Sequence, residues 1–92
     1  MPSHASAEIV NRLGLHARPA MALVDCASAF PCAITVHRSD KPEEKVDAKS
    51  IMQVMMLAAT QGVVLEFCAE GEQSDEAVEA LRVLVGTGFD EE

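Results

Sequence analysis

The chain has 92 residues, 49% apolar and 24% charged, with three Phe and neither Trp nor Tyr. A chain of this length builds one modest aliphatic core, burying roughly 60–65% of its unfolded surface, with no room for a second domain or a closed substrate cavity. Seven basic against fifteen acidic residues give a formal net charge of −8. That balance argues against a general affinity for nucleic acid or for an anionic membrane, both of which need clustered Lys and Arg.

In chain order, residues 5–12 read as a short strand centred on Ile9 and Val10, after a loose polar start over residues 1–5. A glycine-containing segment, 11–15, leads to His16-Ala17-Arg18-Pro19. Proline is tolerated only in the first turn of a helix, so a helix is predicted from Ala17 with His16 at the N-cap. Ala20, Leu23, Val24, Ala27 and Phe30 form its buried face, and Pro31 ends it. Residues 32–38 alternate as a half-buried strand, with Ile34 and Val36 inward and Thr35 and His37 outward.

A polar turn leads to a short strand near Lys45-Val46-Asp47, and Ser50 precedes a helical stretch from Ile51 to Ala59. Val63, Leu65, Phe67 and Ala69 then alternate as the clearest strand. Ser74 is predicted to cap a last helix with Ala77, Val78, Leu81, Leu84 and Val85 inside, closed by Gly86 and Gly88. Residues 89–92 are expected to fray. The order β-α-β-β-α-β-α, with one-faced strands, predicts an α+β two-layer open-faced sandwich: a four-stranded antiparallel sheet with three helices on one face.

The N-terminus lacks an apolar core of signal-peptide length, and the longest apolar run, Val54 to Ala59, is too short to span a bilayer. Cys26, Cys32 and Cys68 are odd in number and without C-x-x-C spacing, which points to reduced, buried thiols in a cytoplasmic protein.

The chemistry gathers around His16. A helix start presents unpaired backbone N–H groups and about half a positive charge, a ready site for an anion. A histidine at that position can present a ring nitrogen as a nucleophile. Arg12 and Arg18 bracket this histidine, and a guanidinium suits phosphate geometry. Acceptor, anion cradle and cation thus fall within a few residues. The plainer reading is an exposed N-cap histidine between two ordinary arginines.

Gly14-Leu15-His16-Ala17-Arg18-Pro19-Ala20 resembles the active-site signature of HPr, the histidine phosphocarrier of the phosphoenolpyruvate-dependent phosphotransferase system. Lys49-Ser50-Ile51-Met52-x-Val54-Met55-x-Leu57 is similar to that family's regulatory-serine segment. Gln61-Gly62 and Glu70-Gly71-Glu72 also match, and the resemblance spans roughly residues 6 to 89. It implies that His16 is phosphorylated, on Nδ1, by enzyme I and passes the group to EIIA domains. Arg18 would stabilise the phosphoryl group, Pro19 would fix the helix start, and Ala17 and Arg12 would complete the anion cradle. The protein would be a covalently phosphorylated carrier and not an enzyme, without cofactor or metal and expected as a monomer.

Ser50 is either a plain N-cap or, by the resemblance, a site for HPr kinase/phosphorylase. Ile51, Met52 and Met55 would belong to the partner-docking surface, with Met52 exposed and Val54 and Leu57 buried. Gln53 stands where a glycine is frequent in the family, Met56 where a small polar residue is frequent, and Asp25 where lysine is common. These departures fit a regulatory carrier such as NPr of the nitrogen-related phosphotransferase system as well as one feeding sugar permeases. A small binding module without phosphotransfer is the alternative of another class. A metal site on His4, His16, His37 and the cysteines lacks ligand spacing, and a hydrolase lacks an acid partner for His16. Arg12, Arg18 and Lys49 near the first two helix starts predict one end of the molecule that attracts phosphate.

Overall fold

A computed structural model describes residues 2–90. Its elements are β1 (Ser3–Glu8), α1 (Ala17–Ser28), β2 (Ala33–Arg38), β3 (Val46–Asp47), α2 (Ile51–Met55), β4 (Val64–Glu70), α3 (Ser74–Gly86) and a short 3-10 turn, Gly88–Asp90. The four strands form one antiparallel sheet in the order β1-β4-β2-β3, so the architecture is the α+β open-faced sandwich expected. β4 is central. Its alternation sends Leu65, Phe67 and Ala69 into the core, where they meet Leu23 of α1, Val54 of α2 and Leu81 and Val85 of α3. Phe67, 1% exposed, is the bulkiest of these fully buried side chains, and aliphatic residues fill most of the space around it.

Several boundaries differ from the sequence prediction. β1 begins at Ser3, so residues 3–5 are paired to β4 and are not a loose start. Its inward face is Ser3, Ala5 and Ala7, side chains too small to announce a strand, while His4, Ser6 and Glu8 face out. Ile9 is fully buried and extends the pairing through hydrogen bonds with Val63 and Gly62. Phe89 is 8% exposed and anchors the 3-10 turn; residues 91–92 lie outside those described.

The second helix stops at Met55 and does not run to Ala59. Its last turn tightens through the bonds Leu57 N–H to Val54 and Ala58 N–H to Met55, and Ala58 turns to φ 50°. Tertiary demand overrides propensity here: the Ala59 carbonyl is needed by Leu15 N–H at 2.9 Å, and Arg38 Nη1 donates to the Leu57 and Ala58 carbonyls at 3.3 Å each. In α3, the N-cap is Gln73 at φ 65°, and Ser74 is the first helical residue with no capping role. The Ser74 hydroxyl instead lies 2.9 Å from that of Ser3, and Ser3 also donates to the Asp75 carboxylate, which fastens β1 to the start of α3. Leu84 and Phe30, expected inside, are only half-buried.

Candidate functional site

Glycine and asparagine place the histidine. Gly14 holds φ +69°, and a Cβ there would lie 2.7 Å from the Ala59 carbonyl oxygen and 2.8 Å from Thr60 Cα. Only glycine fits that approach of two backbones. Asn11, 3% exposed, donates its side-chain amide to the Gly14 carbonyl at 2.7 Å, and Gly14 N–H returns to the Asn11 carbonyl at 3.1 Å. Leu15 is buried, so the next residue emerges at the surface.

His16 is the N-cap of α1, with extended φ −81° and ψ −170°. Its carbonyl accepts the Ala20 N–H at 2.9 Å, while its ring makes no capping bond to the helix. Of the first-turn N–H groups, Pro19 has none, and helical geometry gives those of Ala17 and Arg18 no acceptor within α1. No acidic side chain occupies the first turn, so the positive end of the dipole is not neutralised there. Pro19 is fully buried and seats the helix start in the core, while Arg18 and Arg12 are exposed. The result is a half-exposed imidazole beside two outward N–H groups, with two guanidinium groups in the adjoining sequence.

Ser50 caps α2 as expected: its Oγ accepts the Gln53 N–H at 3.3 Å. Gln53 Oε1 in turn accepts the Asp47 N–H at 2.9 Å, and the Asp47 carboxylate accepts the Lys49 N–H at 2.9 Å. Ser50-x-x-Gln53 is therefore a variant of the capping box, a signature present in the sequence and passed over there. Lys49 departs from the prediction. Its ammonium donates to the Phe30 carbonyl at 2.7 Å, beyond the C-terminal end of α1, which is about 18 Å long. Lys49 and Ser50 thus sit at the opposite end of α1 from His16, and Lys49 is no part of a phosphate-attracting cluster there.

From that far end the chain runs back toward the His16 loop, exposing Met52 (76%), Met55 (41%) and Met56 (76%) on the way. Val54 and Leu57 are buried, as expected, and Ile51 is half-buried.

The sequence reading also left Arg38 without a role. It pairs with Asp40 at 3.0 Å through two guanidinium nitrogens while capping the carbonyls after α2. Those hydrogen bonds hold the Asp40 carboxyl below the usual carboxylate range and raise the Arg38 guanidinium. On the uncovered face of the sheet, His4, His37, Glu66 and Cys68 share a cavity of about 350 Å³, and His37 Nε2 lies 3.7 Å from Glu66. Among the described residues no group of three His, Cys, Asp or Glu side chains could hold a metal ion. Cys26, Cys32 and Cys68 are free thiols, of which Cys32 is buried as expected while Cys26 and Cys68 are only half-buried, and burial pushes that of Cys26 upward.

Residues 4–87 match the family model described as the PTS HPr component phosphorylation site. The chain belongs to the HPr family. It is 53% identical over 83 residues to the phosphocarrier protein HPr of Pseudomonas aeruginosa, covering 90% of each chain. To the phosphocarrier protein NPr of Escherichia coli K12 it is 38% identical over 85 residues, covering 92% of each. The crystal structure of HPr-C-His from Thermoanaerobacter tengcongensis superposes with a TM-score of 0.88 at 44% identity, covering 98% of each chain. As an HPr-family member the protein is a phosphocarrier of the phosphotransferase system and not a catalyst in the usual sense.

Proposed function

We propose that His16 accepts a phosphoryl group from phospho-enzyme I and delivers it to an EIIA domain in sugar uptake, in the cytoplasm and as a monomer. The observation that carries this reading is the place of His16 at the open positive end of α1, with no acid in the first turn. A ring nitrogen attacks phosphorus as the bond to the donor's nitrogen breaks. The oxyanions then face the N–H groups of Ala17 and Arg18 and the Arg18 guanidinium, with Arg12 adding to the local potential. Phosphoryl transfer has a loose, charge-spread transition state, so positioning and electrostatics supply most of the acceleration. Pro19 contributes by burial, which fixes the direction of the helix end.

Docking falls to the surface between the His16 loop and α2, where Met52, Met55 and the half-buried Ile51 offer adaptable apolar contact. The higher identity to HPr than to NPr favours the sugar-transport branch over the nitrogen-related one. Regulatory phosphorylation of Ser50 by an HPr kinase/phosphorylase is supported by the Lys49-Ser50-Ile51-Met52 segment and by the partial exposure of the serine. Its hydroxyl must first release the Gln53 N–H it now caps.

The test is incubation with enzyme I and phosphoenolpyruvate followed by intact-mass measurement. An acid-labile phosphoryl adduct forms on the wild type and not on His16→Ala. Equal uptake by His16→Ala overturns the assignment, and no uptake by the wild type overturns the function.

A further inference from the structure

The net charge of −8 is almost entirely C-terminal. Residues 70–92 hold eight acids and one base, a net of −7, and the preceding 69 residues sum to −1. Nothing in phosphoryl transfer at His16 uses that concentration of charge. Three of those acids, Glu76, Glu79 and Asp90, line a groove of about 640 Å³ beside α3, together with Ala80, Val83 and Leu84 of α3 and Cys26 of α1. Val83 is 46% exposed and Leu84 half-buried, so apolar surface lies open to water there. Glu76 stands at one end of the groove and Asp90 at the other, while the Glu79 carboxylate between them is already bonded by Arg82. Phe89 and Asp90 both hold left-handed backbone, φ 59° and 60°, with the Phe89 ring buried beneath.

We propose that this groove is a second docking site, which takes a basic amphipathic helix of a partner protein. The lining stripe from Glu76 to Thr87 is about 17 Å long, room for three turns of a partner helix. The apolar middle calls for Leu, Val or Met at i, i+3, i+4 and i+7, and the two acidic ends call for Lys or Arg at both ends of that helix. The charges set encounter rate and orientation, and Val83 and Leu84 supply the affinity.

The probe is a synthetic helix of about fourteen residues with Leu in that spacing and Lys and Arg at both ends, titrated into the 15N-labelled full chain. The amides of Cys26, Ala80, Val83 and Leu84 shift and saturate. A peptide of equal charge with every Leu replaced by Gln binds at least tenfold more weakly. Val83→Asp, and Val83→Ser as a milder variant at the same half-exposed position, also weaken binding about tenfold. Glu76→Gln reduces affinity about threefold and flattens its salt dependence. Phosphoryl uptake at His16 is unchanged in all three variants. The proposal is overturned if the Gln peptide binds as well, if the shifts fall on Met52 and Met56, or if nothing binds at about millimolar peptide. It is equally overturned if the groove amides shift with protein concentration alone, which would assign the groove to a second copy of this chain.

Discussion

Gly14 and Asn11 never touch a reacting atom in this account, yet they decide where His16 points. With φ +69° and the backbone of residues 59–60 within 3 Å of any added carbon, Gly14→Ala combines a left-handed penalty with a clash against atoms that cannot swing away. A loss of about 2–4 kcal/mol is expected, read as a shift in urea midpoint without change of slope. An unchanged midpoint would mean that the Leu15–Ala59 contact is not maintained in solution. Asp40 offers a second check. Hydrogen bonds from Arg38 lower its folded-state value, so the pair's contribution to stability is complete above about pH 4 and is lost as pH falls through the depressed range. Carboxyl titration by NMR should place Asp40 below the ordinary aspartate range, and Arg38→Gln should return it there. An Asp40 titration that ignores that substitution contradicts the pairing.

Helix α2 is the element least like its prediction, and its two ends show why. The start is local: Ser50 Oγ accepts the Gln53 N–H and Gln53 Oε1 accepts the Asp47 N–H, and the Ser50-x-x-Gln53 spacing could be read directly from residues three apart. Ser50→Ala should cost about 1 kcal/mol by thermal unfolding, and Gln53→Ala less, with the double variant losing less than the sum because the Ser50 bond holds the turn from which the Gln53 side chain reaches Asp47. Strict additivity would show that the two bonds are independent. The end is not local. Ala58 adopts φ 50° because the carbonyls around it serve Arg38 and Leu15, twenty and more residues away in sequence. No periodicity carries that information. The same distinction explains the rest. α1 was legible because Pro19 and a spaced apolar stripe announce it, and β4 because Leu65, Phe67 and Ala69 alternate strictly. β1 was misplaced because Ala5 and Ala7 bury too little surface to mark a face. Lys49 was misassigned because its side chain reaches a carbonyl beyond the other end of a packed helix.

Across the molecule, charge and exposure are sorted by place. The sheet and three helices bury an aliphatic core and leave His16 half-exposed at one helix end, with an apolar methionine surface along the chain that returns to it. The net negative charge lies mainly beyond residue 69, away in sequence from Arg12 and Arg18. A chain of 92 residues that cannot enclose a substrate can still present a phosphoryl group to larger proteins. The same segregation leaves the α3 groove acidic and unused by that transfer. The most direct test of the central claim is NMR of the imidazole nitrogens and backbone amides after phosphorylation with enzyme I and phosphoenolpyruvate. The account predicts a phosphoryl group on Nδ1 of His16 alone, with the amide protons of Ala17 and Arg18 displaced as they take up hydrogen bonds to its oxygens. A phosphoryl group on His4 or His37, or amides of Ala17 and Arg18 that do not move, would contradict it.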